Sequence, residues 1–293
     1  MKYLVGFSPD QGGREALALA AVLARSTGGS LVVCTIIPET WGHPSPARVD
    51  AEYASFLNQN AEKALAKARA TLPSDIAAEF VARSAGSARD GLLHTAEDLG
   101  VDALVLGSAR AAAIGRFAEG SVTTDVLRMA PLPVILAPRG YAPRPGIVVR
   151  RISCAISGSD TSAPLAEQAG NLAQSFGVPL RLATFIVRDK QMYPTGAGYD
   201  AENLVSNEYR RQAQAVHDAI RAGWTQPVAL TSAFGDGPTW RTALDRLGWE
   251  NAELLVIGSS SLGPILRVFL GSNSGKIARC APVPCVVMPR VAE

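Results

Sequence analysis

Residues 130–139 read APLPVILAPR, and residues 281–290 read APVPCVVMPR. Both segments have two alternating prolines, an apolar run and a closing Pro-Arg pair, and the second begins 151 residues after the first. Because separated segments recur in one order at one spacing, the sequence predicts two copies of one domain. At the same offset, Leu104–Ser108 matches Leu255–Ser259, and Gly120-Ser121 matches Gly271-Ser272.

The chain length agrees with such a duplication. A chain of 293 residues can hold two domains of ordinary size. The segment between the repeats is rich in proline and glycine, which is typical of a linker. The sequence therefore predicts a first domain at residues 1–140, a linker at 141–149 and a second domain at 150–293.

Composition excludes several classes of protein. Hydrophobic residues make up 47% of the chain, which is enough for two cores, and the net charge of +2 does not suit a nucleic-acid binder. The four cysteines are too scattered for a disulfide framework. No uncharged run approaches the ~20 apolar residues of a membrane span. We expect a cytoplasmic protein without nucleic-acid or membrane partners.

Each half alternates short apolar runs with helical segments. That order predicts parallel sheets covered by helices on both faces, that is, two doubly wound, Rossmann-like α/β domains with five strands each. The predicted strands of the first half are Tyr3–Phe7, Leu31–Ile37, Ala78–Ala82, Ala103–Leu106 and Val134–Ala137. Those of the second half are Ile152–Ile156, Leu180–Val187, Ala229–Ala233, Leu254–Ile257 and Cys285–Met288.

A glycine follows the fourth predicted strand of each half, and a Gly-Ser pair precedes the next predicted helix. In open parallel sheets, ligands bind beyond the carboxyl ends of the strands. A helix N-terminus has unpaired N–H groups and favours negative charge. The pattern favours an anion site at these pairs. The alternative is that Ser121 and Ser272 only cap their helices.

These loops follow the spacing of a known pattern: a glycine, two further residues, a second glycine, nine residues and then Gly-Ser. In this spacing, and in the helix and strand that follow it, the chain resembles the universal stress protein family, as a tandem pair covering both halves. The resemblance implies a stress-response binding or signalling module that binds ATP or another adenine nucleotide, with or without Mg²⁺. It also implies an adenine nucleotide alpha hydrolase-like fold, two halves packed as an intramolecular pseudo-dimer through their last strands, a homodimer of the tandem chain and protein partners of unknown identity.

Two positions depart from the family pattern. Arg110 and Ser261 replace its second glycine, and Ser8 and Ser157 replace the aspartate expected after the first strand, while the nearby Asp10 and Asp160 do not align with it. The sequence favours the second half, whose loop keeps small residues. The candidate nucleotide-binding residues are Gly107, Arg110, Gly120, Ser121 and Ser8 in the first half, and Gly258, Ser259, Ser261, Gly263, Gly271, Ser272 and Ser157 in the second.

Three functions stay open: a nucleotide-binding stress protein, a degenerate member that works through protein partners or another ligand, and a slow ATPase. The ATPase is the least favoured, because no general base or activated nucleophile stands in the loops. No catalytic residue and no metal ligand is predicted. The histidines are too far apart in sequence for metal-site spacing, and His94 and His217 are expected at the surface or partly packed.

Overall fold

The computed structural model describes residues 1–39, 49–158, 162–187, 199–259 and 272–289, with only the helical backbone of 49–51 and 199–206. The chain divides into two compact units, with the boundary between Val148 and Val149. The domain limits at 1–140 and 150–293 and the pseudo-dimer packing stay predictions.

The first unit is a five-stranded sheet with helices between the strands. The elements are β1 Lys2–Gly6, α1 Gln11–Thr27, β2 Ser30–Pro38, α2 Val49–Thr71, β3 Ala78–Ala85, α3 Ala88–Asp98, β4 Ala103–Leu106, α4 Ser121–Met129 and β5 Val134–Leu136. The strand order is β3-β2-β1-β4-β5, and all four pairings are parallel. The sheet is therefore doubly wound, and its strand order reverses between β1 and β4.

The second unit repeats this architecture. The elements are β6 Arg151–Ala155, α5 Ser162–Phe176, β7 Leu180–Val187, α6 Tyr199–Ala222, β8 Leu230–Gly237, α7 Trp240–Asp245, β9 Glu253–Gly258, α8 Ser272–Cys280 and β10 Cys285–Met288. The strand order is β10-β9-β6-β7-β8, again with parallel pairings throughout. Five parallel strands in each half were predicted, and this prediction is confirmed.

Burial explains why the central strands read as unbroken apolar runs. Leu4, Leu104 and Val134 are fully buried, because helices cover both faces of the sheet. The third strand of each unit is less buried than the central strands and longer than predicted. In the first unit the ladder continues to the pair Pro38 and Ala85, since backbone pairing does not require an apolar side chain.

His217 contradicts the expectation of a surface or partly packed side chain. It is fully buried on α6, where its Nε2 lies 2.9 Å from Oγ1 of Thr184 and its ring stacks on Phe234. Burial, and then the charge of Arg221, lower the pKa of His217 to about 4. The imidazole is therefore a neutral core group at physiological pH.

Two features are absent from the described segments. Within them, no three side chains of the His, Cys, Asp and Glu types gather closely enough to hold a metal ion. No described helix has the length and apolar character needed to cross a bilayer.

Candidate functional site

A cavity of about 490 Å³ opens in the first unit where the carboxyl ends of β1 and β4 lie side by side. This is the point at which the strand order reverses, the usual ligand position in such sheets. Its volume is within the range of small-molecule sites. The polar edge is formed by Ser8, Asp10, Gly107, Gly120 and Ser121, and the apolar wall by Phe7, Ile36, Leu57, Ala61, Ala64 and Leu92.

Gly107 is required by packing. A Cβ on Gly107 would overlap the carbonyl group of Gly12, and a Cβ on Gly12 would stand 2.8 Å from the carbonyl oxygen of Ser108. The start of α1 therefore lies directly against the end of β4. This backbone contact forms one edge of the cavity. Packing alone is therefore a sufficient reason for the glycine after β4, without a bound ligand.

Gly120 has no such reason. Its φ of −92° and ψ of 171° suit any residue, and a Cβ would meet only the Cβ of Ala109, at 3.8 Å. Gly120 is the N-cap of α4, and a glycine has no side chain that could form the capping hydrogen bond. The alternative that Ser121 caps this helix is therefore wrong. The first residues of α4, whose N–H groups have no partner within the helix, line the cavity edge.

Asp10 belongs to the site, although it does not align with the aspartate of the family pattern. Its Oδ1 accepts hydrogen bonds from Oγ of Ser8 at 2.8 Å and from the N–H of Gly13 at 2.9 Å, so Asp10 caps α1. Burial raises the pKa of its carboxyl, but these hydrogen bonds and the charges of Arg110 and Arg14 together lower it. Ser8 thus positions an ionised aspartate two residues further along the chain.

The loop between β4 and α4 is tied to itself. Oγ of Ser108 accepts from the N–H of Ala118 at 2.9 Å, and the N–H of Ala109 donates to the carbonyl of Ala118 at 2.9 Å. Arg110 is exposed on this loop, near enough to favour the charged form of Asp10. A positive charge therefore stands beside the carboxylate, where the family pattern has a glycine.

The second unit differs at the matching positions. A Cβ on Gly258 would lie 3.2 Å from a methyl group of Leu165, so a side chain is its neighbour where Gly107 has backbone. Ser157 is exposed, with its Oγ 3.4 Å from Oγ of Ser162. Ser259 donates its N–H to the carbonyl of Met288 at 3.1 Å, and Ser272 is exposed at the start of α8.

Three candidate residues of the second unit, Ser261, Gly263 and Gly271, lie outside the described residues, as does Asp160. The preference for the second half therefore stays a prediction. The described cavity belongs to the first half, where Ser8, Gly107, Gly120 and Ser121 come together. Asp10 could have been found in the sequence as an N-cap, because an aspartate directly precedes the helical run that begins at Gln11.

Comparison with known proteins gives agreeing results. The model of the universal stress protein family matches residues 1–138 and 149–289. Universal stress proteins of Mycobacterium tuberculosis and Mycobacterium bovis are each 37% identical over 294 residues, which cover 99% of this chain and 100% of each relative. The solved structure of a universal stress protein from Archaeoglobus fulgidus has a TM-score of 0.66 at 18% identity, and the match covers 98% of this chain and 97% of that one.

Proposed function

The chain belongs to the universal stress protein family, and on that premise we propose that its first unit binds an adenine nucleotide. The chain would then act in the cytoplasm as a stress-response module whose contacts depend on the bound nucleotide. One observation carries the proposal: the N-cap of α4 is a glycine that packing does not require, and it lies at the edge of a cavity at the switch point of the sheet.

The phosphate groups fit the α4 end of the cavity. The unpaired N–H groups at the start of a helix and its dipole favour a bound anion. Gly120 leaves the backbone open to close approach, and the hydroxyl of Ser121 adds a donor. Arg110 supplies the positive charge that an exposed phosphate attracts.

The base fits the apolar wall, and the ribose fits the polar edge beside it. The apolar wall of the cavity, which includes Ile36 and Leu92, suits the faces of a purine ring. Asp10, ionised and held by Ser8, is an acceptor of the kind that binds ribose hydroxyl groups. On this account Asp10 does the work of the family's aspartate, although it does not align with it.

A second candidate function follows from the same carboxylate. The negative charge of Asp10 lies in the cavity that would hold phosphate, although hydrogen bonds from Gly13 and Ser8 and the neighbouring arginines offset part of it. A ligand without phosphate, or a protein partner in place of a ligand, would avoid this repulsion. In that case the chain is a degenerate member of its family that acts through other contacts.

Identification of co-purified ligand tests the proposal. The purified, never-dialysed protein is extracted with acid, and the released small molecules are identified by mass spectrometry. ATP, ADP or AMP near one equivalent supports the nucleotide site. Absence of nucleotide in the extract, together with no heat on titration with ATP, favours the second candidate, and pull-down experiments for protein partners would follow.

A further inference from the structure

A second cavity, of about 670 Å³, lies in the first unit on the outer side of α1. The segment Gly140–Gly146, which follows β5, forms its other wall. Most of the residues that line the cavity are apolar. Among the described residues, Glu15 supplies the single carboxylate of the lining. The lining includes Leu17, Ala18, Ala21, Val22, Leu72 and Pro143. This cavity shares no residue with the nucleotide site proposed above.

Glu15 is only 4% exposed. Its Oε1 accepts hydrogen bonds from the N–H of Gly140 at 2.5 Å and from Nε2 of Gln11 at 2.9 Å. Its Oε2 is buried, and no group in the described part of the chain donates to it. Buried carboxylate oxygens nearly always have a partner, since an unpaired one costs free energy. The carboxylate is thus held in place by one oxygen while the other is unsatisfied.

The basic residues around the cavity do not satisfy Oε2. Arg25 makes a two-point ion pair with Asp75, at 2.7 and 3.0 Å. Arg14 and Arg144 are exposed, so solvent surrounds their charges. Tyr141 also lines the cavity, and burial raises the pKa of its phenol to about 12, so that it brings a neutral aromatic ring.

We propose that this cavity binds a small organic ammonium compound. The ammonium group donates to Oε2 of Glu15, the apolar body packs against the side chains of α1, and Tyr141 offers an aromatic surface of the type that attracts cations. Simple amines and zwitterionic amino acids share this chemistry. The exposed Arg14 and Arg144 would add a contact only for an amino acid, through its carboxylate.

Titration of the full chain, followed by two-dimensional NMR, tests the proposal with two compounds of one shape. The probes are phenethylamine and its neutral counterpart 2-phenylethanol. We expect the amine to bind about tenfold more tightly than the alcohol, or better, because only the amine has a charged donor for Oε2. L-phenylalanine is the third probe: tighter binding than phenethylamine identifies amino acids as the ligand class, and weaker binding identifies simple amines.

Two variants keep the test decisive. In Glu15→Gln the amide oxygen still accepts from Gly140, and binding of the amine should fall about tenfold. If that variant does not fold, Ala18→Leu takes its place. The larger side chain fills the cavity while leaving the carboxylate of Glu15 intact, and it should abolish binding of the amine. Equal binding of amine and alcohol, unchanged binding in both variants, or no binding of either probe up to about 10 mM, as for a cavity that holds water only, would overturn the proposal.

Discussion

Gly107 lies so close to Gly12 that a Cβ on Gly107 would overlap the Gly12 carbonyl group. The contact joins the end of β4 to the first turn of α1 and involves backbone on both sides. Backbone cannot move aside as a flexible side chain can. The geometry of the cavity edge in the first unit therefore depends on two glycines that are 95 residues apart in sequence.

The first prediction concerns this contact. Gly107→Ala should lower the free energy of unfolding by about 1–3 kcal/mol, because the added methyl group forces the backbone of α1 or β4 to shift. Gly258→Ala in the second unit is the matched control, since its nearest neighbour is a methyl group of Leu165 at 3.2 Å. Urea unfolding measures both. Equal losses in the two variants would show that the backbone contact is not the cause.

The second prediction is that Gly120 tolerates a side chain. The backbone of Gly120 suits any residue and the space beside it is open, so Gly120→Val should change the free energy of unfolding by no more than about 1 kcal/mol. Thermal melting followed by circular dichroism measures the change. A loss as large as that of Gly107→Ala would mean that Gly120 is needed for the fold and is no indicator of a ligand.

The third prediction is a pH dependence set by His217. Its pKa is about 4 in the folded chain and about 6.5 when unfolded, so the unfolded chain binds more protons between these values. Stability is therefore fully present above pH 6.5 and falls by about 3 kcal/mol as the pH drops towards 4. His217→Gln, which keeps a hydrogen-bonding group for Thr184, should lack this loss. The free energy of unfolding of both proteins is measured as a function of pH. If the two curves ran parallel, they would exclude the burial described for His217.

The fourth prediction concerns Glu253, which is fully buried at the start of β9. It accepts hydrogen bonds from Arg181 at 2.7 Å, Ser153 at 2.5 Å and Arg151 at 2.8 Å. Glu253→Ala should cost about 3–5 kcal/mol, because Arg181 is left as an uncompensated buried charge.

The ion pair of the partly buried Arg25 with the exposed Asp75 is the contrast to Glu253. Asp75 is 54% exposed, so Asp75→Asn should cost less than about 1 kcal/mol. Both substitutions are measured by urea unfolding. If Glu253→Ala cost no more than Asp75→Asn, the buried network would contribute little to stability.

Much of the fold could be predicted because apolar runs and internal repeats report local structure. The run at Ala103–Leu106 was placed with its correct limits, since a buried parallel strand leaves an unbroken apolar pattern. The limits of Leu180–Val187 were also correct, because the strand is largely apolar although it contains Arg181 and Thr184. The third strands were predicted too short. Their last residues pair through the backbone and lie at a sheet edge, where no side-chain pattern is imposed.

The candidate site could be predicted only in part. The glycine spacing located Gly107 and Gly120. It did not show that packing requires Gly107 and does not require Gly120. That distinction depends on Gly12, which is distant in sequence. Glu15 was missed for the same kind of reason: its partner Gly140, which donates to it, is 125 residues away in sequence.

Calorimetric titration with ATP and Mg²⁺ decides whether the nucleotide binds in the first unit. The proteins compared are the wild type, Gly120→Val and the matching second-half variant Gly271→Val. We expect binding near one equivalent in the wild type and in Gly271→Val, and at least about tenfold weaker binding in a folded Gly120→Val. Unchanged binding in Gly120→Val, with loss in Gly271→Val, would contradict the account and place the nucleotide in the second half.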